Sequence, residues 1–230
     1  TPTTISIVRA GRRVGDEPAA RDETPQPAHA RNGENGAADD APPSVPKLGC
    51  DGKHDDYEMW PSAEELATAA RESADALKHV EGFTVSRSKF GSVKWIGETN
   101  VNGLDLDKII RFYPAGVEVY KDADGKALAD KPARGSGLNR PAIVTLCNVH
   151  PKSGPVLSAR KLEKWVERLK EQCTKMGATF RGYDAEIDGG TWSFRVEHFS
   201  TYGLDEDFFA MDDEDDETGE PGMAEDDDID

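Results

Sequence analysis

Apolar residues recur along this chain with two different periods, and the switches between them outline its elements. Pro61-Ser62-Ala63-Glu64-Glu65 opens a helix, because the Ser62 hydroxyl can accept the Glu65 N–H while the Glu65 carboxylate reaches back to the Ser62 N–H. Leu66, Ala69, Ala70, Ala74 and Leu77 then fall on one helical face. Strand-like runs follow at Phe83–Ser86, Ser92–Ile96, Ile109–Phe112 and Val117–Tyr120. Asp122-Ala123-Asp124-Gly125 reads as a turn, and Lys126–Leu138 as a loop broken by Gly135 and Gly137. Another strand is expected over Ala142–Val149.

A second helix is predicted over Ala159–Met176, capped by Ser158 and striped by Leu162, Trp165, Val166, Leu169, Cys173 and Met176. Gly177 stands where a left-handed residue closes a helix. A short strand at Phe180–Tyr183 turns through Asp188-Gly189-Gly190 into a last strand, Thr191–His198. There Trp192, Phe194 and Val196 face one way and Ser193, Arg195 and Glu197 the other. Helix, strands, helix, strands in this order predicts an α+β domain with mostly antiparallel pairing.

Composition sets the ends apart from this pattern. Residues 1–56 are rich in Pro, Ala, Gly, Asp and Arg, with few large apolar residues, and read as a disordered linker ahead of a domain at 57–204. Of the 45 acids, 15 lie in residues 205–230, where no Lys or Arg occurs. The first 204 residues therefore hold 30 acids against 28 bases, and most of the formal charge of −17 belongs to a tail expected to be disordered. Such a tail repels nucleic acid and anionic membrane. Its pair Phe208-Phe209 is the exception, two aromatics in an acidic run that can dock on a surface.

Cys50, Cys147 and Cys173 make neither a disulfide framework nor a zinc pattern, which points to a reducing compartment and to no metal or other cofactor. No run of about 18 apolar residues is present, so no membrane span is expected. The chain opens on Thr1 without a charged-then-apolar leader and reads as a piece of a longer protein.

The last strand runs into His198-Phe199-Ser200-Thr201-Tyr202-Gly203-Leu204. His198 continues the parity of Trp192, Phe194 and Val196, and Ser200 shares it. In an extended strand their Cβ atoms stand roughly 7 Å apart. Cooperation between them requires a bend, expected at Phe199-Ser200. The chemistry such a bend allows is an N→O acyl shift: His198 as general base takes the Ser200 hydroxyl proton, and Ser200 Oγ attacks the Phe199 carbonyl. Water then hydrolyses the ester, leaving one chain ending at Phe199 and a 31-residue tail beginning at Ser200. Taken alone the tripeptide carries little information, since a His at a strand end is commonly a satisfied polar residue.

The whole constellation carries more. Tyr57–Leu66 (YEMWPSAEEL), Phe83–Gly97 (FTVSRSKFGSVKWIG) and Leu104–Ile110 (LDLDKII) come first. Val117–Tyr120 (VEVY), Gly137–Leu146 (GLNRPAIVTL) and Gly189–Leu204 (GGTWSFRVEHFSTYGL) complete the order. In this sequence of pieces the chain resembles the nucleoporin autopeptidases, the autoproteolytic, pore-targeting domains of GLFG nucleoporins. The resemblance implies a six-stranded, mostly antiparallel β-sandwich or half-barrel flanked by two main helices. It also implies a single cleavage after Phe199 with His198 and Ser200 as catalytic residues, tail contacts through Tyr202, Gly203 and Leu204, and a place in the nuclear pore complex. Implied partners are a β-propeller nucleoporin of the cytoplasmic face, the scaffold nucleoporin encoded downstream, and the chain's own tail. Thr201 stands where animal members carry Lys, and His150 in the Cys147–Pro151 loop where they carry an aromatic.

Two other classes stand beside this reading. One is a peptide-binding module that does not cut. The other is an RNA-binding module built on Arg87, Lys89, Lys94, Lys108 and Arg111, disfavoured by the interleaved acids and the acidic tail.

Overall fold

A computed structural model describes residues 43–52, 55–154, 158–199, 201–205 and 208–209. The capping box at Ser62 closes in both directions, with the Ser62 N–H on the Glu65 carboxylate at 2.8 Å and the Glu65 N–H on the Ser62 hydroxyl at 3.3 Å. It starts helix α1 (Ala63–Glu72). Ser158 likewise accepts the Lys161 N–H and starts α3 (Ala159–Lys175). Between them lies a single-turn helix, α2 (Leu106–Ile109). Gly177, at φ 67°, closes the end of α3.

The strands in chain order are β1 (Tyr57–Trp60), β2 (Val80–Glu81), β3 (Thr84–Arg87), β4 (Gly91–Trp95), β5 (Glu98–Thr99) and β6 (Ile110–Tyr113). They continue as β7 (Gly116–Val119), β8 (Ala142–Leu146), β9 (Thr179–Asp184), β10 (Thr191–Val196) and β11 (Thr201–Gly203). Six of them form one sheet in the order β1-β3-β4-β8-β10-β9, every neighbour antiparallel. A second sheet has the order β11-β7-β6, and β2 pairs with β5. The fold is thus α+β with antiparallel pairing, as the pattern predicts, around the six-stranded sheet that the resemblance implies.

The alternation in the sequence is what gives the large sheet its two faces. Val85, Val93, Val144 and Phe194 stand opposite one another across four strands, all fully buried. Trp95, Ala142 and Val196 form a parallel row, the small Ala142 leaving room for the indole. On the other face, Ser86, Ser92, Thr145 and Ser193 make a half-exposed polar row. Helix α3 lies over β9 and buries Trp165, Leu169 and Cys173. All four residues of β7 are buried, so the small sheet is covered on both sides at its centre. Each large side chain removed from water in this way contributes about 1.5–3 kcal/mol.

Several features depart from the sequence reading. Helix α1 ends at Glu72, so Ala74 and Leu77, read as part of its face, lie beyond it, and the strand expected over Ala142–Val149 ends at Leu146. Tyr57–Trp60 is an edge strand, tied down further by the Phe112 N–H donating to the Tyr57 hydroxyl at 2.9 Å. Residues 43–52, read as linker, lie against the domain. Lys47 exchanges backbone bonds with Leu104 and Leu106, and the Gly49 and Cys50 N–H groups both bind the Asp107 carboxylate. These are backbone contacts, to which composition is blind. Residues 1–42 and 53–54 of the expected linker lie outside the described residues, as does most of the acidic tail. Lastly, the final strand stops at Val196, two residues early.

Gly91 holds β4 close to β8. A Cβ there would lie 2.0 Å from the Thr145 carbonyl oxygen, and its φ of 135° disfavours any side chain. Gly91→Ala should therefore destabilise the domain by ~1–3 kcal/mol, read as a lowered urea midpoint at unchanged slope.

Candidate active site

The chain leaves the large sheet at Val196, bends at Glu197–His198, and joins the small sheet at Thr201. Four residues thus bridge two sheets. The bend falls just ahead of the expected Phe199-Ser200 step, and it shifts the burial parity. His198, expected on the buried face, is half-buried, and Phe199 takes the fully buried place instead. Ser200 lies outside the described residues.

Phe199 is held through every group it has. Its ring packs 5.6 Å from the Trp95 ring and 6.1 Å, edge-on, from Tyr202. Its N–H donates to Asn139 Oδ1 at 2.9 Å, and its carbonyl accepts from Lys131 Nζ at 2.6 Å. Asn139 is itself fixed, its amide donating to the Pro132 carbonyl at 2.9 Å. Trp95 is fixed by its indole N–H on the Leu138 carbonyl, also at 2.9 Å. The 126–138 loop is therefore a cradle for the residue ahead of Ser200.

The cradle is electropositive. Burial lowers the Lys131 ammonium below the ordinary lysine range, and the nearby cations Lys121 and Arg134 lower it further. A cation on a carbonyl oxygen polarises that carbonyl toward nucleophilic attack, and stabilises the oxyanion that attack creates. Neither Lys131 nor Asn139 emerged from the sequence as a site residue. Asn139 lies inside the GLNRPAIVTL stretch, whereas nothing local marks Lys131.

Beyond Ser200 the chain is read residue by residue. Thr201, Tyr202 and Gly203 pair antiparallel with Glu118, Val117 and Gly116. Thr201 Oγ1 lies 3.4 Å from Glu118, a buried carboxylate paired with Arg111. Tyr202 is buried, its hydroxyl donating to the His198 carbonyl at 2.7 Å. Burial raises its phenol pKa. A Cβ on Gly203 would meet the Ala115 carbonyl oxygen at 2.5 Å and Gly116 Cα at 2.6 Å, so only glycine fits. Leu204 is buried, with its N–H on the Ala115 carbonyl at 3.0 Å.

Cys147 and Cys173 offer no second centre. Burial raises the pKa of Cys147 and pushes Cys173 up to about 11, away from the reactive thiolate. His150 Nδ1 contacts the Pro151 carbonyl within its own loop. Among the described residues no group of His, Cys, Asp and Glu is placed to hold a metal ion.

Comparison with known proteins is specific. The family model described as Nup98-96 autopeptidase S59 matches residues 54–204. The chain is 39% identical over 168 residues to nuclear pore complex protein NUP98A of Arabidopsis thaliana, an alignment covering 71% of this chain and 15% of that protein. It thus spans a small part of its relative's length. Among solved structures, the Chaetomium thermophilum Nup145N APD T994A mutant fused to Nup145C N aligns with a TM-score of 0.53 at 36% identity. That alignment covers 65% of this chain and 98% of that one. A chain of the yeast heterotrimeric Nup82-Nup159-Nup116 nucleoporin complex aligns with a TM-score of 0.50 at 28% identity, covering 63% and 97%.

Asn139→Ala would leave the buried Phe199 N–H without its acceptor. The variant should lose about 1–3 kcal/mol of stability, measured by urea denaturation, with Asn139→Asp retaining part of it.

Proposed function

The chain belongs to the Nup98-96 autopeptidase family of nuclear pore complex proteins, and from that premise we propose that it hydrolyses its own Phe199-Ser200 peptide bond and then anchors its parent nucleoporin on other nucleoporins. The observation that carries the proposal is the Lys131 ammonium, 2.6 Å from the carbonyl oxygen of Phe199. In this reading Ser200 Oγ attacks the Phe199 carbonyl carbon while His198 removes the hydroxyl proton. The negative charge that develops on the Phe199 oxygen is met by Lys131, already in place and needing no reorganisation. The C–N bond breaks, and the Ser200 amine leaves with the proton that His198 held. Water then hydrolyses the ester to a Phe199 carboxylate and restores the Ser200 hydroxyl.

The grip on Phe199 supports this sequence physically. An amide resists attack because resonance keeps it planar. Here the residue before the bond is fixed by its ring, its N–H and its carbonyl, while β11 fixes the residues after it. The nucleophile is part of the same chain, so the cost of bringing reactants together is already met by folding.

The partners proposed are the β-propeller nucleoporin of the cytoplasmic face and the scaffold nucleoporin encoded downstream. The second related structure is one component of a nucleoporin heterotrimer, which supports partners of that kind. The paired edge of β7, now occupied by β11, is the surface a partner's peptide would take by strand addition.

Intact mass of denatured protein tests the cut. The expected result is a wild-type product ending at Phe199 and an uncut Ser200→Ala chain. An uncut wild type would leave a peptide-binding module that does not cleave.

Lys131 generates a separate prediction. Its ammonium form supports the reaction, and its pKa lies below the ordinary lysine value of about 10.4. Cleavage should therefore hold near neutrality and fall as pH rises through that lowered pKa. Lys131→Met should slow cleavage by roughly 10²–10³, followed by timed quenching and mass analysis. Lys131→Arg should retain more activity and lose the alkaline decline, because guanidinium stays charged.

A further inference from the structure

We propose that α3 carries a second docking site, a Trp165–Arg168 clamp for a paired-aromatic, acid-flanked peptide, whose resident occupant is Phe208-Phe209 of this chain's own tail. The Phe208 ring stands edge-on to Trp165 with centroids 5.4 Å apart, and the Phe209 ring lies 6.3 Å from the same indole. The two phenylalanines also pack edge-on against each other, 5.7 Å apart. The Arg168 guanidinium sits 4.7 Å from the Phe208 ring centroid and 5.6 Å from that of Trp165, and it donates to the Phe208 carbonyl. Asp205 accepts the Phe208 N–H at 2.9 Å, which sets the pair at the start of a helical turn. Aromatic pairs of this kind are worth about 0.5–1.5 kcal/mol beyond their burial, and a cation over a ring adds to that.

The site continues the contacts already described rather than standing apart from them. Gln172, one turn further along the same face of α3, donates to the Gly203 carbonyl at 3.3 Å. The face through Gln172, Arg168 and Trp165 therefore follows the tail from Gly203 to Phe209, running toward the start of the helix. Arg160, Lys161 and Lys164 lie in that direction, and the acids of Asp212–Glu217 come next in the tail sequence. The chemistry recognised is thus an aromatic pair just ahead of clustered carboxylates. Two linked anchors raise effective concentration to the millimolar range, so each holds the other's peptide in place. On the proposed cleavage reading, the clamp keeps the severed tail on the domain and makes its departure, rather than the cut, the step that opens the β7 edge to a partner.

The test uses the full chain with Ser200→Ala, so that the clamp is read without any cut and its failure is separate from a failure of cleavage. Hydrogen–deuterium exchange is followed at the Leu204 amide, with and without Phe208→Ala/Phe209→Ala, and separately with Arg168→Ala. The expected result is at least about tenfold faster exchange at Leu204 in the double variant, a smaller rise with Arg168→Ala, and acceleration of the parent by salt. Unchanged Leu204 exchange in the double variant would overturn the two-anchor site. As a second measurement, a labelled synthetic peptide of residues 205–217 is titrated onto the same double variant. It should bind there at least about tenfold more tightly than to the Ser200→Ala parent, whose clamp is filled. Equal binding to both would overturn the proposal as well.

Discussion

Everything distinctive in this domain follows from burying Phe199 in the middle of a crossing between two sheets. A residue placed there brings a backbone N–H and a carbonyl out of water, and each must find a partner or cost several kcal/mol. Neither sheet can supply them, because the chain has left one ladder at Val196 and not yet entered the other at Thr201. The partners come instead from Asn139 and Lys131. The need to satisfy a buried backbone thus places a cation on one particular carbonyl, an arrangement that would support the proposed acyl chemistry at that carbon. On the proposed reading, the Lys131 bond would serve both stability and reactivity.

The small sheet extends this dependence. β11 is three residues long, and its strength lies in what flanks it: the buried Tyr202 and Leu204 and the side-chain-free approach at Gly203. These contacts belong to the uncut fold, where they cost little chain entropy because the strand is tethered at Phe199. On the proposed reading, severing the bond would remove the tether and leave these contacts to act alone. Tail retention then becomes an association, with its own loss of translational and rotational freedom, and its strength depends on how many anchors act together.

The sequence is legible where structure is local. The two long helices each start at a serine whose hydroxyl accepts the backbone N–H three residues on, Ser62 from Glu65 and Ser158 from Lys161. The faces of the large sheet follow from alternation within each strand. What escapes is what depends on partners far along the chain. Lys131 and Asn139 meet Phe199 across 68 and 60 residues, and no local pattern announces such a meeting. Strand β1 and the stretch around Lys47 are short and bind through backbone groups that every residue possesses. Extending the parity of β10 to His198 misplaced that side chain for a related reason. Alternation holds only while the chain stays in its sheet, and here it leaves at Val196.

On the proposed cleavage reading, the constraint on Phe199 suits a single event better than turnover. An enzyme acting on separate substrates must release its product to work again, so tight product contacts slow it. Here Phe199, whose carbonyl is the proposed point of attack, is fixed in the core by Trp95 and Asn139. The new end at Phe199 would therefore remain beside Lys131 as a carboxylate, turning a hydrogen bond to a neutral carbonyl into an ion pair. That change would stabilise a cut domain relative to the uncut one and disfavour religation. The interaction that prepares the bond for attack is thus also the one that would hold the product in place, and it leaves the tail side alone free to exchange.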